Sequence, residues 1–366
     1  MSFFIHERPE WPNFLWDAGA LLPVLAEVRS LQGRLLGRMA GIGFDLGQEA
    51  FLETLVLDVT KSAEIENEIL DARQVRSSVA RRLGLEAIGE VRDRRIEGVV
   101  EMLLDATQCH DQPLTAERLF GWHAALFPTG YSGVQPITTG GWRRGSMQVV
   151  SGAIGRETVH FQAPEAARVP EEMTRFLEWF DQATLPDPVL KALLGHLWFV
   201  TIHPFDDGNG RIGRALMDML LARADGVAQR FYSMSSQLQL ERQDYYAILE
   251  QTQRGGLEVT AWLCWGLSCL RRALLAAENT LGRVLAKGKF WQENAHLLLN
   301  ERQRQLLNRL LDGFQGKLTT SKWAKIAKCS TDTALRDLQD LEEKGLLARV
   351  GPGGRGTHYQ LLAPRI

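Results

Sequence analysis

Apolar positions recur at helical spacing along most of the chain. Leu21, Leu22, Leu25, Val28 and Leu31 predict a helix from about Ala18. Ahead of it Trp11, Pro12, Phe14 and Trp16 read as an irregular aromatic arm packed across the body. Further helices are expected over residues 48–57 and from about 60–62, with Glu64, Glu66 and Glu68 in the opening turns of the second, where acidic side chains suit the macrodipole. Met173, Phe176, Leu177 and Phe180 share one face of a helix beginning near Pro170, and helical patterns continue over 189–201 and 212–222. Two short β-type runs interrupt the series, 147–150 and 158–161. Ser151-Gly152-Ala153-Ile154-Gly155-Arg156 lies between them, the signal of a hairpin with a longer loop.

Near the end of the chain, Leu306, Leu307, Leu310 and Leu311 form one stripe. Then 320–327, a turn at Cys329-Ser330, and 331–344 read as helix-turn-helix. Residues 346–350, the turn Gly351-Pro352-Gly353-Gly354 and residues 357–362 add a hairpin. That order is the pattern of a winged helix. The fold class predicted is mainly α, with one internal β-hairpin and a C-terminal winged helix-turn-helix domain.

The 366 residues are 45% hydrophobic and 23% charged, with a formal net charge of -2. Such a chain builds two or three ordinary globular domains. The composition excludes a collagen-like, low-complexity or disulfide-scaffold protein. It also argues against a protein that coats nucleic acid or membrane over its whole surface. The neutrality is an average: residues 301–362 hold eleven Lys/Arg and seven Asp/Glu, so the remainder is acidic. No secretory signal is visible, and the best uncharged apolar run, 260–270, is too short to span a bilayer and reads as a buried helix. Cys109, Cys264, Cys269 and Cys329 form no CxxC pair. Reduced core thiols in a cytoplasmic protein are expected.

One stretch carries chemistry: His203-Pro204-Phe205-Asp206-Asp207-Gly208-Asn209-Gly210-Arg211-Ile212-Gly213-Arg214. Pro204 stops the helix before it. Gly208, Asn209 and Gly210 tolerate a positive φ, and a new helix begins close to Gly210. The first N–H groups of that helix lack intrahelical partners and form an anion site. Arg211 and Arg214 lie on one helix face, where two guanidinium forks can clamp a polyphosphate. His203 at the lip can act as a general base. Asp207 offers a hard oxygen ligand for Mg2+ shared with substrate phosphates. A Gly-rich turn capped by a structural His–Asp pair is the plainer reading of the same residues.

The stretch resembles the Fic motif, HPFx(D/E)GNGRxxR, at every defined position. The Pro9-Glu10-Trp11-Pro12 region is similar to a domain that often precedes bacterial Fic cores, and a C-terminal winged helix recurs in the family. The resemblance implies a Fic-type helical fold in which the hairpin is a target-docking flap, with Val149 and Val150 on it. It implies a helical regulatory region over 1–105, a catalytic core over 106–286 and the winged helix over 287–366. The implied reaction moves AMP from ATP to a protein hydroxyl (Ser, Thr or Tyr, on a target or on the enzyme itself) and releases pyrophosphate. His203 would deprotonate the hydroxyl and Asp207 would hold Mg2+. Gly208, Asn209, Gly210 and Arg211 would receive phosphate oxygens, and Arg214 would clamp the γ-phosphate. Tyr245 and Tyr246 resemble a family Tyr pair beside the adenine, although two helix aromatics can equally be core residues. Gln253 is a weaker nucleotide-contact candidate.

Ser62-Ala63-Glu64-Ile65-Glu66-Asn67 matches the family's inhibitory pattern (S/T)xxxE(G/N). The resemblance implies a class II protein in which Glu66 occupies the Arg214 fork, while Glu64 does not fit the spacing. Other readings stay open. The same fold can transfer another group or remove AMP, Fic proteins are often dimeric, and a nucleotide-sensing DNA-binding regulator is a different class of function. For the last, Lys322, Lys325, Lys328, Arg336, Arg349 and Arg355 are the candidate phosphate contacts. Asp332, Asp337, Asp340, Glu342 and Glu343 on the recognition helix would oppose it if they faced DNA.

Overall fold

In the computed structural model the described residues are 4–41, 44–85, 93–151, 158–182, 185–311, 314, 316–351 and 357–362. A 3-10 turn (Ile5–Glu7) opens the arm, and Trp11 buries its ring and donates its indole N–H to Glu172 at 2.9 Å. The Asp17 carboxylate then caps α1 (Ala18–Ala40) by accepting from the N–H groups of Gly19 and Ala20. There follow α2 (Phe44–Ile65), α3 (Ala72–Arg82), α4 (Arg94–Gln108) and α5 (Ala116–Leu126). A two-residue-per-strand hairpin, β1 (Tyr131–Ser132) and β2 (Gln135–Pro136), precedes the longer hairpin β3 (Gln148–Ser151) and β4 (Thr158–Gln162). Then come α6 (Val169–Gln182), α7 (Pro188–Ile202), α8 (Asn209–Asp225), α9 (Met234–Leu240), α10 (Arg242–Gln253) and α11 (Thr260–Glu293).

The chain divides into two compact units, Met1–Ala277 and Glu278–Ile366. At the centre of the first, α7 is buried at every residue from Val189 to Ile202 except Lys191. Such an all-round apolar helix belongs inside a bundle. Asp187 and Pro188 start it, and His203 ends it in the left-handed conformation (φ 53°, ψ 59°). It packs against α8, which is capped at its start by Gly208 with φ 80°, a value only glycine adopts without strain. The α7–α8 turn is therefore the stretch that holds the motif.

The second helix differs from the sequence expectation. Residues 44–65 form one continuous helix, not two, and Glu64, Glu66 and Glu68 lie at or beyond its C-terminal end. The Thr60 hydroxyl does not cap a new helix. It bonds back to the Val56 carbonyl at 2.7 Å, which keeps the backbone helical. Carboxylates at a helix C-terminus oppose the macrodipole and need cations nearby. Lys61 supplies one to Glu64 at 2.8 Å. The thiols also differ in part: Cys269 is buried, whereas Cys109 is exposed and Cys264 and Cys329 are half-buried.

The β3–β4 hairpin pairs Gln148 with Gln162 and Val149 with Phe161, then shifts register so that Val150 faces Val159. The predicted loop from Gly152 to Arg156 lies outside the described residues. In the second unit α12 (Glu301–Leu311), α13 (Thr320–Ala327) and α14 (Thr331–Glu343) pack with the wing, β5 (Leu347–Val350) and β6 (His358–Leu361). Leu306, Trp323, Leu338, Leu341 and Tyr359 fill its core. This is the predicted winged helix-turn-helix. Its wing tip, with Pro352, Gly353, Gly354 and Arg355, lies outside the described residues.

Candidate active site

A cavity of about 800 Å³ opens over the N-terminus of α8. Glu66, Val149, Val150, His203, Asp207, Gly208, Asn209, Gly210, Tyr245 and Tyr246 line it, so the structure brings ten of the sequence-predicted site residues to one place. Arg211 and Arg214 stand behind that lining, each taken by a carboxylate.

Arg214 is 1% exposed. Its Nη1 donates to Glu66 Oε1 at 2.8 Å, Nε to the Ser62 hydroxyl at 2.9 Å and Nη2 to the Ser62 carbonyl at 2.9 Å. The first and fifth residues of the SxxxE pattern thus grip one guanidinium, because α2 ends directly over α8. Asn67, next in the pattern, adopts φ 61° and accepts from Arg242 at 2.8 Å. That conformation explains a preference for Gly or Asn at this place. A Cβ on Gly210 would stand 2.2 Å from Glu66 Oε1, so only glycine leaves room for the carboxylate. Arg211 donates to Glu68 Oε2 at 2.8 Å and stacks over Phe127 at 5.0 Å. Sequence reading missed the Glu68 contact. Glu64 pairs with Lys61 instead of either motif arginine.

His203 is half-buried, and its Nδ1 lies 3.1 Å from the Val200 carbonyl. A proton on Nδ1 satisfies that contact and leaves Nε2 as the basic nitrogen. Burial pushes its pKa below the ordinary value, opposed by the Val200 bond. Asp207 accepts from the Ser132 hydroxyl through Oδ2, and its Oδ1 sits 2.5 Å from the Gly208 N–H. The side chain of Asn209 is spent on the loop itself: it accepts from Phe205 N–H at 3.0 Å and donates to the Phe205 carbonyl at 2.8 Å. Any role of Asn209 toward an anion therefore falls to its backbone N–H.

Tyr245 is buried and its hydroxyl bonds His196 Nε2 at 2.9 Å. Burial raises its pKa above the ordinary value, against the pull of Arg214, and so keeps the hydroxyl protonated. It is both a core aromatic and part of the lining. Tyr246 is half-exposed beneath the Arg242 cation, 5.6 Å from its ring. Gln253 lines the cavity too and donates to Thr201 at 3.2 Å.

Among the described residues no group of three or more His, Cys, Asp or Glu could hold a metal ion. A Mg2+ shared between one carboxylate and substrate phosphates needs no such cluster. The exposed carboxylate of Asp207 on the cavity wall fits that arrangement.

Residues 113–221 match the family described as Fic/DOC, residues 302–355 the DeoR-like helix-turn-helix domain, and residues 4–85 a domain of unknown function. Residues 113–221 are thus a Fic/DOC domain, and a DeoR-like helix-turn-helix follows it. The chain is 29% identical over 126 residues to a probable protein adenylyltransferase of Aquifex aeolicus, covering 34% of this chain and 35% of that one. It is 32% identical over 119 residues to a uridine 5'-monophosphate transferase of Xanthomonas campestris, covering 30% and 21%. The chain therefore spans about a third or less of the length of these curated relatives. Its fold is similar to that of a Fic family protein from Desulfovibrio desulfuricans, with a TM-score of 0.55 and 21% identity over 96% of this chain and 98% of that one.

Proposed function

We propose that the protein is a self-inhibited protein adenylyltransferase. The observation that carries this reading is the Glu66–Arg214 pair at the wall of the cavity that His203, Asp207 and the α8 N-terminus share. ATP binds with its phosphates against the first N–H groups of α8. His203 Nε2 takes the proton of an incoming Ser, Thr or Tyr hydroxyl. The oxygen attacks the α-phosphorus, the bond from that phosphorus to the bridging oxygen breaks, and pyrophosphate leaves. The backbone N–H groups and the arginines stabilise charge on the transferred group, and in-line positioning supplies the rest. Asp207 would hold Mg2+, which neutralises phosphate charge when bound. The exposed side chains of Val149 and Val150 and the edge of β3 suit an extended target segment added as a strand.

The brake follows from electrostatics. While Glu66 fills the Arg214 fork, a γ-phosphate meets a carboxylate in place of a cation. The relatives above are named for AMP and UMP transfer, so the transferred mass is the first thing to measure. The Glu66→Gly protein, incubated with ATP and Mg2+ in lysate and read by mass spectrometry, should add AMP to itself or to a target hydroxyl. A different added mass, or none, overturns the reading.

A second reading concerns the winged helix. Lys325 and Arg336 are exposed, and two of the opposing carboxylates turn away from a DNA-facing role. Asp337 is buried against Arg302 at 2.8 Å, and Asp340 is occupied by Lys344 and Gln303. This supports DNA binding alongside the enzyme activity.

A further inference from the structure

Arg143 has no part in the motif, yet it is 2% exposed in a segment of irregular backbone between β2 and β3. A buried guanidinium is costly unless its N–H groups are satisfied. Here its acceptors are main-chain carbonyls. Nε donates to the His203 carbonyl at 2.7 Å, Nη1 to the Gly145 carbonyl at 2.8 Å and Nη2 to the Pro164 carbonyl at 2.5 Å. The backbone N–H of the same residue donates to the Pro204 carbonyl at 2.9 Å. Burial lowers its pKa below the ordinary value, and Asp206 and Glu165 oppose that from nearby.

These acceptors belong to two different places. Gly145 precedes β3 and Pro164 follows β4, so two prongs of the fork hold both stems of the hairpin. The third holds the carbonyl of His203. That carbonyl belongs to a non-glycine residue at φ 53°, a conformation that persists only where its surroundings impose it. Beside it, the Trp142 ring packs 5.2 Å from Phe205 and 4.5 Å from Phe120 and seals the joint. A planar fork reaches three carbonyls at fixed angles, which a lysine ammonium does not do.

We propose that Arg143 is a positioning residue that sets His203 and ties that setting to the β3–β4 hairpin, so that an occupied hairpin and a correctly placed base are one structural state. The proposal rests on the reading of His203 as the base and of the hairpin as the docking flap.

Two measurements on the full chain test it. Hydrogen exchange of Arg143→Gln should speed up about tenfold or more in peptides covering both 147–151 and 203–207, while α7 and α8 keep their protection. Loosening of the hairpin alone, or of α7 and α8 equally, overturns the link. In the Glu66→Gly background, Arg143→Lys keeps the charge and loses the fork. It should lower kcat at saturating ATP by about tenfold or more with the Kd for ATP within about twofold. A parental rate in the lysine variant, or a loss confined to ATP affinity, overturns the positioning role. If the parent Glu66→Gly protein transfers nothing, the adenylyl-transfer reading falls, and the exchange experiment still decides the role of Arg143.

Discussion

Glu66 Oε1 lies 2.8 Å from Arg214 Nη1, and the two come from just past the C-terminal end of one helix and the second turn of another. The carboxylate is partly exposed while the guanidinium is buried, so the acid can leave more easily than the base can. Removing Glu66 frees a buried, preorganised cation behind the cavity wall, where the proposed reading puts the γ-phosphate. Glu66→Gly should raise self-labelling by ATP by on the order of tenfold or more, a barrier change of about 1.4 kcal/mol or more. Adding His203→Ala should abolish the signal. Radiolabel incorporation checks both, and unchanged labelling in the single variant removes the brake assignment.

Glu68 gives a second, weaker test of the same physics. It holds Arg211 at 2.8 Å and is about one-third exposed. An ion pair of that kind contributes roughly 1 kcal/mol or less. Glu68→Gln should therefore tighten ATP binding by a small factor, about twofold to fivefold, and should act beyond Glu66→Gly when the two are combined. Calorimetric titration with ATP separates this from a role of Glu68 in folding alone, in which affinity would not change.

Sequence periodicity found the winged helix and the core helices because their apolar stripes are local and strong. Residues 320–327 were expected as a helix and form one. The motif was legible because its glycines, arginines and histidine are contiguous. The continuity of α2 was not, since Thr60 can cap a new helix or bond back to the preceding turn, and only tertiary packing decides. Arg143 was also invisible: the carbonyls it binds are 60 and 21 residues away, and a carbonyl leaves no mark in a side-chain pattern. The same holds for Ser132, whose partner Asp207 is 75 residues distant.

With His203 as the proposed base, the pH dependence of transfer follows from the titration of its ring. Burial lowers its pKa from 6.5, so the ring is neutral and basic throughout the neutral range. Activity falls only as the ring gains a proton, so the acid limb of kcat/KM in the Glu66→Gly protein should lie below pH 6.5. An acid limb centred above that value would show that another group controls the step.

A buried cluster beneath the same helices makes stability depend on pH. Asp58 on α2 and Asp218 on α8 flank Arg230, at 3.5 and 2.7 Å, and the Ser233 hydroxyl donates to Asp58 at 2.5 Å. Two acids share one base away from water. Burial, with the Asp218 charge added to it, pushes the Asp58 pKa from 3.8 up to about 8. The folded chain then keeps a proton that the unfolded chain has lost, so stability declines as pH rises from about 4 to about 8. Asp58→Asn removes that proton exchange. Its thermal midpoint should change less than that of the parent between about pH 6 and about pH 8.5, as read by circular dichroism. Parallel curves would mean that Asp58 ionises normally in the fold.

The winged helix allows a final test that is independent of the catalytic site. Its recognition helix presents Arg336 outward and buries Asp337, which changes the charge that a nucleic acid would meet. α13 adds the exposed Lys325. If these groups neutralise DNA phosphates, each accounts for one released counterion, and affinity falls steeply with salt. Lys325→Glu and Arg336→Glu should each weaken binding to duplex DNA about uniformly across sequences, and each should reduce the slope of log K against log salt by about one. Gel shifts at graded salt measure both quantities. Binding that is salt-independent, or equal in the variants, would assign the wing to a protein partner, and adenylyl transfer by the first unit would stand unaffected.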